Sequence, residues 1–379
     1  MIKPEYYVEQ MDLEGKGVVC RCDFNVPMKN GVIMDDFRIR SAIPTIQTIL
    51  SKKPKYVVIV SHFGRPVPGA DNTKYSLQFL KPVLDVQLNT SVQFLENGIS
   101  DATLYEIQHT TSDEPMIYLL ENVRFHAEET AFDTTDDSNT VVSLYKQFGD
   151  VFICDAFGCV HRSHMSITCG KRFQKEYGYG HLIKKEMDAL SMLTNTASNT
   201  KMLCIIGGNK IEDKLPIIDS LKTVPHSTIY IAGGLAKKYT GTNSNVKTMH
   251  DGYGNIEVNM TSYPISDIFN SEYNAYDIGM DSLNEIMNLV QTHDIVFWNG
   301  TLGIIEHPIY KEGTVTLMNY LESRTDKLVI IGGGETASMV PVSSSLGHFY
   351  VSTGGGALLE YIENKILYNT LIVGLAIYE

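Results

Sequence analysis

Basic side chains recur just past the apolar runs in the first half of this chain. Arg21-Cys22-Asp23-Phe24-Asn25 closes one run and Ser61-His62-Phe63-Gly64-Arg65 the next, followed by Glu121-Asn122-Val123-Arg124 and Asp155-Ala156-Phe157-Gly158. Together with Arg38, His161, Arg162 and His164, these turns supply enough cations and imidazoles to bind a small anion. One such residue alone is usually a surface charge or half of an ion pair. Several of them after successive strands read as an anion site. The second half carries a different chemistry: Gly207-Gly208, Gly233-Gly234, Gly332-Gly333-Gly334 and Gly354-Gly355-Gly356 each follow an apolar run. A glycine turn that opens a helix presents free backbone N–H groups and the positive end of the helix dipole, which suits phosphate. A lone glycine triplet is more often only a tight turn, but four such turns in one half point to a nucleotide.

These turns can act together only if the elements before them place them on one face. Short β-rich runs at 18–22, 56–61, 116–120, 151–154, 202–206, 228–231, 295–298, 328–331 and 349–352 alternate with helical patterns such as 76–88, 182–193 and 358–364. Such alternation predicts parallel sheets covered on both faces by helices. In open α/β sheets, ligands bind beyond the carboxyl ends of the strands, where these turns lie. Segment 182–193 separates two such series, between the loop-like stretches 177–180 and 195–200. The expected architecture is α/β: two doubly wound, Rossmann-like parallel-sheet domains joined by a helix. The expected boundaries are 1–180, an interdomain helix and linker at 181–200, 201–360, and a C-terminal segment 361–379. One large sheet is the alternative, but 379 residues divide better into two domains of ordinary size.

A net charge of −13 argues against nucleic-acid binding through a general basic surface. Cysteines 20, 22, 154, 159, 169 and 204 lie in or beside apolar runs, as small buried hydrophobes in a reducing compartment do. Cys20 and Cys22 lack the spacing of a zinc knuckle. Residues 1–17 are mixed and acidic, without the apolar core of a secretion signal, and the apolar stretch 371–378 is too short to span a bilayer. A cytoplasmic protein with neither a membrane nor a nucleic-acid partner is expected. No G-x-x-x-x-G-K-[ST] occurs, no G-x-G-x-x-G opens a helix after the first strand of either half, and H-R-D and D-F-G are absent. P-loop and protein-kinase readings therefore fall away, and a dinucleotide-binding reading is weakened.

Taken in order, the motifs resemble a known family. Arg21-Cys22-Asp23-Phe24-Asn25-Val26-Pro27 with Asp36-Phe37-Arg38-Ile39-Arg40, Ser61-His62-Phe63-Gly64-Arg65-Pro66, Leu120-Glu121-Asn122-Val123-Arg124-Phe125-His126 and Asp155-Ala156-Phe157-Gly158 before His161-Arg162 resemble the first half of the phosphoglycerate kinases. Gly207-Gly208-Asn209-Lys210, Asp213-Lys214, Trp298-Asn299-Gly300, 332–336 and 352–357 resemble the second half. The likeness covers nearly the whole chain at fitting spacing. It implies an N-terminal domain that binds 3-phosphoglycerate and 1,3-bisphosphoglycerate through Asp23, Asn25, Arg38, His62, Arg65, Arg124 and Arg162. It implies a C-terminal domain that binds ATP or ADP through Gly208, Lys210, Lys214, Gly234, Asn299, Glu306, Thr336, Gly354, Gly355 and Gly356, with Mg²⁺ at Glu335. It also implies a hinge-bending cleft, a C-terminal segment returning to the N-terminal domain, and a monomer.

The implied chemistry accounts for this inventory. The acceptor is a carboxylate, already ionised at neutral pH, so no general base is needed. Repulsion between two anions is the obstacle, and cations, magnesium and backbone dipoles offset it. Arg38 and Lys210 are expected to flank the transferred phosphoryl, and Lys214 to act with them by holding nucleotide phosphate. The chain departs from the family pattern in places. Asn209 and Thr301 stand where Ala and Pro are usual, Ala232 replaces the first glycine of a triplet, and Glu335 stands where Asp is expected. The stretch 238–277 is shorter than in most relatives. These departures keep a second expectation open, a catalytically impaired relative acting as a binding or scaffold protein; a third is another two-domain nucleotide enzyme.

Overall fold

A computed structural model of the chain describes residues 2–67, 71–112, 114–131, 139–173, 176–194, 199–210, 212, 214–255, 262–270, 274–340, 348–368 and 375. They fall into two compact units, one over Met1–Asp188, to which Leu375 also belongs, and one over Ala189–Thr370.

The first unit is built on β1 (Gly17–Cys22), β2 (Tyr56–Val60), β3 (Val92–Leu95), β4 (Met116–Leu120), β5 (Val151–Asp155) and β6 (Glu176–Tyr179). They lie in the order β3-β4-β2-β1-β5-β6, and every pairing is parallel. Each residue of β1, β2 and β5 is buried, as expected of central strands covered on both faces. Register places Arg21 beside Val60 and Cys154, and Cys22 beside Asp155, so the turns after β1, β2 and β5 leave the sheet side by side. The helix Phe37–Ser51 buries Ile39, Ile43, Ile46 and Ile49 in the core of this unit and carries Arg38 in its first turn.

The sequence predicts a loop at 177–180, but Glu176–Tyr179 is an edge strand. Gly178 is there for close approach rather than for a turn: a Cβ on it would lie 2.3 Å from Met11 Sδ and 2.7 Å from the Tyr6 carbonyl oxygen. The helix expected at 76–88 starts only at Leu80, after a 3₁₀ turn at Thr73–Tyr75. The helix expected at 182–193 is His181–Thr194, and the division between the units falls inside it.

The second unit contains β7 (Met202–Ile206), β8 (Ser227–Ile231), β9 (Val246–Thr248), β10 (Ile295–Asn299), β11 (Leu328–Gly332) and β12 (Phe349–Val351). Their order is β9-β8-β7-β10-β11-β12, all parallel. The chain winds outward one way from β7 and then the other way from β10, which makes the gap between their carboxyl ends the switch point where such sheets bind ligands. In and just past 238–277, strands Gly252–Asn255, Ser262–Ile265 and Asp277–Ile278 form a small antiparallel sheet. The helix Gly355–Tyr368 runs across the boundary expected at 360/361 and belongs to the second unit, so the expected C-terminal segment cannot begin at 361. Beyond Tyr368, all of that segment except Leu375 lies outside the described residues.

All six cysteines are buried and none is in a disulfide. No described helix is long and apolar enough to cross a membrane.

Candidate active site

In the first unit Arg38 sits in the first turn of the helix Phe37–Ser51, and the other expected acid-binding residues sit on the turns after β1, β2, β4 and β5. Arg38 NH1 donates to Asp23 Oδ2 at 2.8 Å and to the Asn25 carbonyl oxygen at 3.2 Å. Asp23 is buried while Arg38 stays partly open, so the carboxylate aims the guanidinium without hiding it. Asn25 Oδ1 accepts from Gly64 N at 2.9 Å and stitches the turn after β1 to the turn after β2. Asn122 does the same for the turn after β4, donating to the carbonyls of Phe63 and Tyr75 and accepting from Arg124 N. Arg124 is buried, with NH1 on the Gly64 carbonyl at 2.6 Å and its Nε left without a partner. A buried donor with nothing to bind is a place where an acceptor is owed. Arg65 and Arg162 are exposed, Arg162 Nε lying 3.1 Å from His161 Nε2.

The structure divides the basic residues that the sequence pooled. Burial and then neighbouring guanidiniums, Arg21 foremost, hold His62 well below the usual imidazole range. Burial and Arg162 lower His161 to about 4, and burial with Arg21 and Arg124 lowers His164 to about 3. These three rings are neutral at physiological pH, and the arginines carry the positive charge. Arg21 is wholly buried, 3.6 Å from the buried Glu129, and takes no part in an open anion surface. Asp23, His62 and Cys159 bring ligating atoms within 4.8 Å of one another, the sole such trio among the described residues. Arg38 and Arg21 already donate to Asp23 and His62, so a dication there would meet two guanidiniums.

In the second unit the glycine turns meet at the switch point. Gly207 N donates to the Asn299 carbonyl at 2.8 Å and Gly208 N to that of Thr301 at 2.9 Å. A Cβ on Gly207 would lie 2.3 Å from the Thr301 carbonyl oxygen, and one on Gly300, whose φ is +95°, 2.3 Å from that of Gly207. Backbone packs on backbone here, and only glycine allows it. Beside this contact opens a cavity of about 610 Å³, the size of a small-molecule site. Gly208, Gly234, Glu306 and Glu335, all expected from the sequence, line it. Its apolar wall of Met249, Ile268, Ala275, Tyr276 and Ile304 was not found, because most of it comes from the stretch 238–277, where no motif marks a site. Lys238 at the rim donates to the backbone and side-chain oxygens of Asn209 at 2.9 and 2.8 Å, so one departure from the family pattern holds a cation at the cavity.

The remaining expected nucleotide residues stand at neighbouring strand ends rather than in the cavity wall. Lys214 Nζ donates to Asn299 Oδ1, and Asn299 Nδ2 is buried with no acceptor. Thr336 is fully buried, its hydroxyl accepting from Gly300 N at 3.1 Å, which braces the turn after β10 against the helix Gly334–Ala337. Lys210 is exposed beyond β7. Gly355 opens the helix Gly355–Tyr368 so close to the turn after β11 that a Cβ on it would lie 3.1 Å from Gly333 Cα. Gly354 N is held by Ser352 Oγ at 3.2 Å, and Gly356, itself exposed, follows in the helix's first turn. Magnesium commonly takes one or two carboxylates plus substrate phosphates. Glu335, exposed in the first turn of Gly334–Ala337 and bordering the cavity, fits that need.

The family model "Phosphoglycerate kinase" matches residues 8–250 and 242–365. Phosphoglycerate kinase of Borreliella afzelii (strain PKo) is 34% identical over 388 residues, covering 93% of this chain and 95% of that protein. The one from Chlamydia trachomatis serovar L2 is 30% identical over 407 residues, covering 97% and 98%. Among solved structures, phosphoglycerate kinase from Coxiella burnetii superposes with a TM-score of 0.74 at 25% identity, over 98% of both chains. The crystal structure of phosphoglycerate kinase from Pyrococcus horikoshii OT3 gives a TM-score of 0.81 at 23% identity over 95% and 96%, a likeness of fold alone. With two parallel sheets, glycine turns at the switch point, and relatives that match it almost end to end, the chain belongs to the phosphoglycerate kinase family.

Proposed function

We propose that the chain transfers a phosphoryl group reversibly between ATP and the carboxylate of 3-phosphoglycerate, giving ADP and 1,3-bisphosphoglycerate. One observation carries this reading: a single chain holds arginines and neutral imidazoles at the strand ends of one unit and a glycine-walled cavity of about 610 Å³ in the other. The acceptor carboxylate needs no base, so the work is positioning and charge. Arg38, aimed by Asp23 and the Asn25 carbonyl, offers its cation from the side of the acid. Lys210 offers another from the side of the nucleotide, and Lys214, seated on Asn299, holds nucleotide phosphate. Asn25, His62, Arg65, Arg124 and Arg162 orient the acid and its phosphate, the unpartnered Arg124 Nε being a ready donor. Gly208, Gly234 and Glu306 border the nucleotide, the N–H groups at Gly355 and Gly356 offer themselves to its phosphates, Gly354 held by Ser352 sets the turn before them, and Asn299 and Thr336 brace the neighbouring turns. Magnesium held at Glu335 supplies neutralising charge to those phosphates. That reaction is a step of glycolysis and gluconeogenesis, and the cytoplasm is the compartment we propose for it.

Consumption of ATP on addition of 3-phosphoglycerate, followed in a coupled assay, tests the reading. Turnover supports it. Binding of both ligands without turnover would instead mark an impaired relative that only binds. Thermal stabilisation by nucleotide with none by 3-phosphoglycerate would mark a different two-domain nucleotide enzyme.

A further inference from the structure

His62 is met at one ring nitrogen by a group that can only donate. Arg21 NH2 stands 3.3 Å from His62 Nδ1. A guanidinium has five N–H donors and no acceptor, so this contact requires a lone pair on Nδ1. Cys159 Sγ lies 3.8 Å from the same nitrogen. Burial pushes that thiol up to about 12, so it keeps its proton and can give it to the bare Nδ1 that the guanidinium requires. Asp23 Oδ1 stands at 3.9 Å, outside hydrogen-bond reach, while Asp23 Oδ2 is committed to Arg38. No partner meets His62 Nε2 among the described residues.

Arg21 is held in place from behind. Its Nε donates to Ser166 Oγ at 2.7 Å and its NH1 to the Cys22 carbonyl. Glu129, wholly buried, accepts from Ser166 N and Ser166 Oγ, both at 2.8 Å, and lies 3.6 Å from Arg21 NH2. It thereby offsets a guanidinium that would otherwise be an unpaired buried charge. His164 Nδ1 lies 3.5 Å from the same carboxylate.

We propose that Arg21 and Glu129 are positioning residues that lock His62 as the neutral Nε2–H tautomer, so that the ring meets the acid substrate as a hydrogen-bond donor rather than as a cation. Every element packed on the ring contributes to this state. Arg21 comes from β1, Arg124 from the turn after β4, His164 and Cys159 from the turn after β5, and Arg38 from the helix Phe37–Ser51. The arginines oppose a second proton, and Asp23, the one acid facing the ring, is neutralised by Arg38. A lone imidazole titrates across physiological pH; one held in this way presents the same N–H throughout. The consequence for turnover rests on the acid-binding role proposed above. The tautomer does not.

Long-range ¹H–¹⁵N NMR of the full chain reads the tautomer directly, with His62 assigned by the signals lost in His62→Gln. A pyridine-like Nδ1 and a pyrrole-like Nε2, unchanged between about pH 5.5 and 8, are expected. A protonated Nδ1, or a ring that titrates inside that window, would overturn the proposal. Arg21→Met removes the donor while keeping a long buried side chain. It should let the tautomers exchange and raise KM for 3-phosphoglycerate about tenfold, with KM for ATP unchanged and kcat within about threefold. A wild-type tautomer and KM in that variant would overturn the role of Arg21, and a rise in both KM values would reduce it to general structure. If the variant does not fold, the wild-type spectrum decides alone. Failure of the wild type to turn over 3-phosphoglycerate would reject the proposed function while leaving the NMR result to stand for or against the tautomer.

Discussion

Arg38→Ala should slow turnover far more than it disturbs folding. The side chain places NH1 2.8 Å from Asp23 Oδ2 and 3.2 Å from the Asn25 carbonyl oxygen. Its removal has two effects. The reacting anions lose a cation, and Asp23, only 4% exposed, keeps its carboxylate without the guanidinium that offset it. Unit charges about 4 Å apart interact by about 4 kcal/mol at an effective dielectric constant of about 20. Water entering the vacated space will recover part of that, and single preorganised donors are worth roughly a hundred- to a thousandfold in kcat. A fall of at least about a hundredfold, or about 2.7 kcal/mol, is therefore expected in kcat at saturating substrates. Arg38 is 28% exposed and only partly screened, so the fold itself should lose on the order of 1 kcal/mol. Coupled steady-state assays with both substrates varied separate kcat from KM. A normal kcat with only a raised KM would show that Arg38 binds substrate and does nothing for transfer. Asp23→Asn added to Arg38→Ala should restore part of the rate by removing the stranded negative charge, and no recovery would refute that second effect.

Lys210→Ala should also lower kcat about a hundredfold, with a much smaller loss of ADP affinity measured by calorimetry, because its cation is assigned to the moving phosphoryl. Collapse of ADP binding with the saturated rate preserved would remove it from transfer. Glu335→Gln should lower kcat and shift the activity curve against free magnesium to higher concentration; curves identical to wild type would mean the side chain does not serve the metal. Burial pushes Asp155 up to about 7, against about 4 in the unfolded chain, so the folded state holds this proton longer. Its stabilising effect is complete below about pH 4 and lost as pH rises to about 7. Asp155→Asn, which keeps the oxygen that accepts from Leu182 N and Ile183 N, should flatten the fall in denaturation midpoint across that window. Some slope should remain, since Asp277, raised to about 6 by burial, acts with the same sign. An unaltered slope would exclude Asp155 as its source.

The central strands were legible in the sequence because a strand covered on both faces is an unbroken apolar run, as at 151–154 and 202–206. Edge strands were not. Val92–Leu95 is only four residues long and buried only at its two ends, and Glu176–Tyr179 contains a glycine that reads as a turn until Met11 and Tyr6 are seen pressed against it. The glycine pairs at 207–208 and 233–234 were likewise visible as residue types in the right order. That Gly207 and Gly300 touch backbone to backbone depends on β7 and β10 being neighbours in the sheet although 295–299 follows 202–206 by some ninety residues. Charge state was beyond the sequence altogether. Arg21 and Arg38 look alike along the chain, yet one is sealed against Ser166, 145 positions away, and Glu129, while the other stays partly open. His62 reads as a cation until the guanidiniums around it are in place. Periodicity and turn chemistry are set by neighbours along the chain, so the sequence alone determined the two-sheet architecture and the order of its turns. Burial, protonation and the shape of the cavity are set by neighbours in space, and only the tertiary structure decided those.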